Sequence, residues 1–258
     1  MHISAALASS PDILPLRIRY RAEANGQIVH DSIHTRDGWT TSYLLQVGDH
    51  LAGFGSVAVA GPWQDKPTVF EFYVLPECRG HAFDLFEAFV AASGARFFEV
   101  QTSDSLLTVM LHAYGCDLAS EKIVFRDELT TSLPPQGATL KRVTSEQESR
   151  CGFEARAGKS EWVIEFDGKT VGTGGLMFHY NHPYCDVYME IAEPYRRRGL
   201  GAYFVQELKR IAYEIGGIPA ARCSPNNVAS KKTLQKAGLV PFAHIVLAKI
   251  APNAAPSG

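Results

Sequence analysis

The segment Arg196-Arg197-Arg198-Gly199-Leu200-Gly201 has the residue types of an anion site. It follows Tyr188-Met189-Glu190-Ile191-Ala192, which reads as a strand, and precedes an apolar pattern of helical spacing over 202–215. A helix N-terminus presents N–H groups without intrahelical partners and a partial positive charge. Glycines let the backbone approach a phosphate with no Cβ in the way. Three arginines add positive potential. The combination suits a phosphate or pyrophosphate. It is not the dinucleotide fingerprint, because no third glycine follows at the right spacing and no acidic residue closes the next strand. It is not a P-loop either, because no G-K-[ST] follows. Taken alone, the segment also reads as a basic strand-to-helix turn.

A second motif narrows the choice. Asn227-Val228-Ala229-Ser230 starts a helix 28 residues past Gly199, and that helix closes on Ala237-Gly238-Leu239. R-x-x-G-x-G after a strand, then N-x-x-S, then a helix ending on glycine, resembles the GNAT-type N-acetyltransferase superfamily. The resemblance covers most of residues 137–250. It implies an α+β fold with a mixed, mostly antiparallel central sheet flanked by helices. It also implies acetyl-CoA, or another acyl-CoA, as donor substrate, with direct transfer to an amine and no metal. By the same resemblance the N–H groups of Arg197, Arg198, Gly199, Leu200, Gly201 and Ala202 cradle the pyrophosphate. Arg196 stands where the family carries Arg or Gln. Ile191 lies on a strand that splays from its neighbour, and its backbone holds the pantetheine arm or the thioester carbonyl. Asn227 contacts the pantetheine side, with Ser230 near it.

The acceptor amine must lose a proton and the departing thiolate must gain one. Many family members use a tyrosine seven residues after the motif asparagine; here that residue is Leu234. Glu190 is the carboxylate on the strand beside the thioester and is a candidate base, directly or through water. Tyr188 shares its face by strand alternation. Cys223 ends the strand expected to splay from Ile191. Each also has a bland account: solvent-facing strand residues for the first two, a buried structural thiol for the third. His179-Tyr180-Asn181-His182-Pro183-Tyr184 reads as an exposed hairpin tip that could reach over an acceptor pocket. His30 and His34 have a spacing that can present two metal ligands on one helix face. No third ligand is evident and H-E-x-x-H is not matched, so no metal is expected.

The elements that must position these residues occur twice. Leu44–Gly55 and Val163–Gly174 each read as strand, glycine turn, strand, with G-x-G on the second strand. Val74–Arg79 aligns with Ile191–Arg196 without a gap. Each half continues with a helical stretch (83–92; 202–215), a strand (Phe97–Val100; Ala220–Cys223), a further helix, and a glycine at its end, Gly115 or Gly238. Leu133-Pro134-Pro135-Gln136-Gly137 reads as the linker. Two tandem domains are therefore expected, 1–132 and 133–258. Between a strand near Ala138–Val143 and Glu161 lie about 17 residues, where the family usually places two helices. The first copy is degenerate: Ala82 stands at Gly199, Asp84 at Gly201, Asp104 at Asn227 and Leu107 at Ser230. An aspartate near a pyrophosphate opposes it, so acyl-CoA binding is expected in the second domain alone.

Composition bounds the rest. Hydrophobic residues make up 46% of the 258, enough for real cores, and the net charge of -2 gives no reason to expect nucleic acid or an anionic membrane. Five scattered cysteines without a C-x-x-C suggest free thiols in the cytoplasm. The first residues do not read as a signal peptide, and no stretch is apolar enough to span a bilayer. The expected function is an acyl-CoA-dependent N-acetyltransferase acting on a small-molecule or amino-acid-like primary amine, as monomer or homodimer. The alternatives are a non-catalytic acyl-CoA sensor and a protein N-terminal or lysine acetyltransferase.

Overall fold

Strand-forming runs and glycine turns organise the chain into two compact units, 1–123 with 243–258, and 124–242. The computed structural model describes residues 2–143 and 161–252. The segment where the family usually places two helices, 144–160, lies outside the described residues.

The first unit runs β1 (Ile3–Ala8), α1 (Ser10–Ala24), a 3-10 turn at Asp31–Thr35, β2 (Thr40–Val47), β3 (His50–Ala58) and β4 (Thr68–Val74). A 3-10 turn (Pro76–His81) then leads into α2 (Ala82–Ser93), β5 (Phe97–Gln101), α3 (Ser105–Tyr114) and the start of β6 (Gly115–Asp127). Strands β1 to β4 pair antiparallel in sequence order, and β4 pairs parallel with β5 only at Thr68↔Phe97 and Val69↔Phe98. Alternation divides the apolar residues between two faces. On one, Phe72 packs with Phe86 and Phe89 of α2 and Leu107, Met110 and Leu111 of α3. On the other, Tyr73 and Phe54 pack with Ile13, Leu16 and Tyr20 of α1. Helix α1 starts where it does because Asp12 accepts the Ser9 backbone N–H at 2.8 Å and Pro11, which has no N–H to satisfy, stands in its first turn.

The second unit repeats the order. It contains β7 (Ala138–Arg142), β8 (Trp162–Phe166), β9 (Lys169–Met177), β10 (Tyr184–Ile191) and a 3-10 turn (Glu193–Tyr195). Then come α4 (Leu200–Glu214), β11 (Ile218–Cys223), α5 (Val228–Lys236) and the start of β12 (Leu239–Ile250). Strands β7 to β10 pair antiparallel, and β10 pairs parallel with β11. Each unit is thus a mixed, mostly antiparallel sheet flanked by helices. Gly53 and Gly172 show why each half keeps its G-x-G. A Cβ at Gly53 would lie 2.0 Å from the carbonyl oxygen of Tyr73, and one at Gly172 would lie 2.6 Å from that of Glu190.

A cut at 132/133 would place the C-terminal strand with the second half. Residues 243–258 instead belong to the first unit, where Ile245–Lys249 pair antiparallel with Phe97–Gln101. The Pro134-Pro135 segment lies between β6 and β7 but is not a free spacer. Gln206 of α4 accepts from the Leu133 N–H at 2.6 Å and from the Thr131 hydroxyl at 2.9 Å. No helix among the described residues is long and apolar enough to cross a membrane.

Candidate donor and acceptor site

The turn between β10 and α4 has an unusual backbone. Arg196 is extended, at φ -66° and ψ 163°, but Arg197 has φ 63° and Gly199 has φ 83°. A side chain in the left-handed region costs ~1–2 kcal/mol. Arg197 accepts that cost in a turn where alternating backbone signs can direct successive N–H groups to one side. Gly199 is the helix N-cap and brings no side-chain acceptor. The first bond back to it is the Tyr203 N–H to Gly199 oxygen, at 3.2 Å. Hence the amides of Leu200, Gly201 and Ala202 have no hydrogen-bond partner among the described residues. Gly201 has a different task. A Cβ there would lie 3.3 Å from Met189 Cε and 3.4 Å from Thr233 Cγ2, so the missing side chain lets α4 sit close to β10 and α5.

Each arginine is held differently. Arg196 Nε donates to the Ile191 oxygen at 2.8 Å, and its guanidinium lies 3.8 Å from Glu190. Arg198 lies over the rings of Tyr195 (5.5 Å) and Phe166 (5.8 Å), within cation–π range. Arg197 is exposed. A fourth cation escaped the sequence reading: Lys236 Nζ is 3.9 Å from where a Gly199 Cβ would stand. Its place in the last turn of α5 was the available signal. Asn227 accepts the Ser230 N–H through Oδ1 at 2.9 Å, which caps α5 and leaves its Nδ2 as a donor.

Strands β10 and β11 pair only from Tyr184↔Ile218 to Asp186↔Ala220. Beyond that they diverge, so Val187–Ile191 and Ala221–Cys223 border a notch. Met189 and Ile191 turn toward α4, where both meet Gly201. By alternation Asp186, Tyr188 and Glu190 share the opposite face. Tyr188 lies along Gly175, whose Cβ would stand 2.9 Å from its hydroxyl. Cys223 is buried at the end of β11. Leu234, where the resemblance implied a tyrosine, is an apolar side chain only 5% exposed.

The hairpin loop differs from its sequence reading. Tyr180 and Asn181 are buried, and His179 is mostly covered, instead of being exposed. Its Nε2 lies 3.2 Å from Asp186 Oδ2 and 3.3 Å from an amino group of Arg222. Arg222 Nε is 3.4 Å from the same Asp186 oxygen. Burial, and next the Asp186 charge, push the Tyr180 phenol well above its ordinary value. The signal was composition: a solvated hairpin tip favours Gly, Asn and Asp over His and Tyr.

The equivalent turn in the first unit is closed. The 3-10 turn over Pro76–His81 runs straight into α2, and Ala82 is helical at φ -59°, ψ -39°. No residue from 77 to 84 has positive φ. Arg79 repeats the Arg196 contact, donating from Nε to the Val74 oxygen at 3.2 Å, but its guanidinium is also paired with Glu23 of α1. Tyr73 donates to the same carboxylate at 3.0 Å. These groups line a cavity of about 270 Å³ with Tyr20 and Asp104. Asp104 caps α3 through the Leu107 N–H at 2.9 Å, as Asn227 caps α5. His30 and His34 are likewise committed, His30 at 3.6 Å from Glu99 and His34 at 2.7 Å from Glu71.

Burial pushes the Asp104 carboxyl up to about 6, against the pull of the Leu107 and Tyr20 hydrogen bonds. A raised carboxyl pKa favours the protonated folded form. Its contribution is therefore full below about 3.8 and is lost as pH rises through about 6. Asp104→Asn keeps the capping oxygen and removes the charge. It is expected to gain ~1–2 kcal/mol of stability near pH 8 and little near pH 4, since each tenfold change in a protonation equilibrium is worth ~1.4 kcal/mol and the site relaxes in part. Urea unfolding at both pH values checks this; an equal gain at both would disprove the charge explanation.

Residues 125–239 match the acetyltransferase (GNAT) family. No curated protein matches the chain in sequence. Among solved structures, a GNAT-family acetyltransferase from Colwellia psychrerythraea superposes with a TM-score of 0.71 at 17% identity, covering 96% of this chain and 99% of its own. A GCN5-related N-acetyltransferase from Sphaerobacter thermophilus gives 0.63 at 16% identity, with 97% and 96% covered. A tandem GNAT protein of the clavulanic acid biosynthesis pathway gives 0.59 at 12% identity, with both chains fully covered. At these identities the likeness is one of fold.

Proposed function

With a GNAT-family acetyltransferase domain across residues 125–239 as the premise, we propose that the chain is an acyl-CoA-dependent N-acyltransferase with acetyl-CoA as donor. Its acceptor is the primary amine of a small or amino-acid-like molecule. The observation that carries this reading is the open turn at Arg196–Ala202, with two positive-φ residues and unpaired amides at the head of α4, beside the notch between β10 and β11. The amides of Arg197 to Ala202 would take the pyrophosphate, with Arg196, Arg198 and Lys236 adding positive charge. The β10 backbone near Ile191 has no β11 partner and would bind the pantetheine amide or the thioester carbonyl. Asn227 Nδ2 and Ser230 would flank the arm.

Attack by the amine nitrogen on the thioester carbonyl forms the C–N bond and expels the thiolate. Glu190, Tyr188 and Cys223 border the notch and stand where protons must move. The first unit keeps the fold without donor binding, because its turn is closed and Arg79 is neutralised by Glu23. The reading places the reaction in the cytoplasm, in keeping with the thiols of Cys78, Cys116, Cys185 and Cys223, none of them in a disulfide. The protein would act as monomer or homodimer, without nucleic acid.

Thermal unfolding with acetyl-CoA and longer acyl-CoAs tests the donor, since a ligand that binds only the folded state raises apparent stability. No shift with any of them would refute the proposal. Release of free thiol with a panel of amines tests the reaction. Binding without turnover on amines, peptides or lysine would favour an acyl-CoA sensor, a reading that the buried Leu234 keeps open.

A further inference from the structure

Buried polar groups must be compensated, and the compensation often marks a site. Asp186 is only 3% exposed and is the last β10 residue paired with β11 before the strands part. Its charge is met by two side chains from two other elements, His179 from the loop after β9 and Arg222 from the diverging end of β11. Arg222 stands two residues past Ala220, on the same face.

Neither partner is used up. Arg222 Nε lies 3.4 Å from Asp186 and one of its amino groups lies 3.3 Å from His179 Nε2. A guanidinium has five N–H donors in a planar fork. The remaining donors of this one belong to a side chain 32% exposed and can take a carboxylate in bidentate fashion. His179 Nε2 lies 3.2 Å from Asp186; in the tautomer that carries its proton on Nε2, toward this carboxylate, Nδ1 holds the lone pair and has no hydrogen-bond partner among the described residues. An imidazole held at one nitrogen by a carboxylate can take a proton at the other. Anion donor and proton acceptor lie side by side, 3.3 Å apart at their point of contact. The two ends of an amino acid are separated in the same way, by a short carbon link.

We propose that His179, Asp186 and Arg222 form the acceptor subsite: Arg222 binds the carboxylate of an amino-acid-like acceptor and His179 Nδ1 takes the proton from its ammonium group. Asp186 is a positioning residue. The inference rests on the donor reading above and deepens it. The ammonium gives one proton to His179, and the free amine attacks the thioester carbonyl carbon. The C–N bond forms, the C–S bond breaks, and the second nitrogen proton leaves with the thiolate as free thiol. His179 returns its proton to solvent. Among the described residues, Asp186 of β10, Arg222 of β11 and Tyr180 of the same loop are the charged or titratable groups that face the imidazole.

The experiment uses the full chain, acetyl-CoA, and a panel of amino acids paired with their amides, in which the carboxylate is neutral. Wild type is expected to prefer the acids. Arg222→Gln should raise KM for the acids roughly 10–100-fold, as loss of a charge-assisted hydrogen-bond pair does, leave kcat nearly unchanged and abolish the preference; Arg222→Lys should restore part of it. His179→Gln should lower kcat/KM by roughly a hundredfold or more and remove the acid limb of its pH profile. Acetyl-CoA binding, read by thermal shift, should survive in all three variants and shows that they are folded. Equal use of acids and amides by a wild type that binds acetyl-CoA would overturn the acceptor proposal alone. An unchanged pH limb in His179→Gln, or its loss in Glu190→Gln instead, would overturn the role of His179. A wild type that binds no acyl-CoA would remove the donor reading and this proposal with it.

Discussion

Arg198→Glu combined with Gly201→Asp is expected to abolish acetyl-CoA binding while the protein stays folded. Arg198 is exposed on the turn, where it lies over the faces of Tyr195 and Phe166. Reversing it should leave the core intact. At Gly201 an added Cβ meets Met189 Cε at 3.3 Å, the far end of a flexible side chain, which can yield, while Thr233 Cγ2 at 3.4 Å and Ile191 Cγ1 at 3.6 Å are at ordinary contact distance. The aspartate would then add a negative charge in the first turn of α4, beside the amides proposed to take the pyrophosphate. Two like charges at ~4 Å repel by about 4 kcal/mol at an effective dielectric near 20. Even half of that weakens binding by more than tenfold, and the two changes together by ~100-fold or more. At a ligand concentration of about 100 times the wild-type Kd, stabilisation would fall from ~2.7 to ~0.4 kcal/mol for a 100-fold loss. The matched control is Ala82→Asp in the closed turn of the first unit, which should leave the shift in place. A double variant that keeps its full shift would move the pyrophosphate site elsewhere.

Glu71→Ala should cost about 3–5 kcal/mol, the range for removing one partner of a buried ion pair. Glu71 is fully buried on β4 and accepts from Arg17 Nε at 3.2 Å and from an amino group of Arg17 at 3.1 Å. It also lies 2.7 Å from His34 Nε2. Removing it strands a buried histidine and leaves Arg17 with Asp31 alone. Burial by itself would raise the Glu71 pKa, but the nearby His34 and Arg17 outweigh it and hold the carboxyl at about 2. A depressed carboxyl contributes stability that is full above its unfolded value, about 4.5, and is lost as pH falls toward about 2. The cost of Glu71→Ala, measured by urea unfolding, should therefore shrink across that window. A pH-independent cost would mean that lost packing, and not the charge network, explains it.

Glu71 also shows what became of the first unit. It occupies the β4 position that aligns with Tyr188, and α1 covers it with Arg17. Where the second unit has a notch bordered by His179, Asp186 and Arg222, the first has an internally neutralised network. The face is filled by its own charges, which suits a domain kept for its fold.

Much of this architecture is legible in the sequence because it rests on local rules. Glycine turns, strand alternation and the repeated order of elements all come from interactions within a few residues. The Arg196–Gly201 turn is legible for the same reason, since Gly199 at φ 83° is a local requirement. The positive φ of Arg197 was not legible, because an arginine carries no sign of that conformation. Nor was Lys236, which reaches the turn from another helix, or the pairing of Ile245–Lys249 with β5 from across the sequence.

The acceptor side shows the limit most clearly. His179, Asp186 and Arg222 are separated in sequence and belong to three elements, so no motif spacing links them. They meet only because β10 and β11 pair as far as Asp186↔Ala220 and then part. Residue order alone suffices for the duplicated fold and for which copy has the open glycine turn, because both depend on residues close together along the chain. Which side chains face the notch follows from the folded chain instead, because strand pairing between distant segments sets where charges and protons can meet.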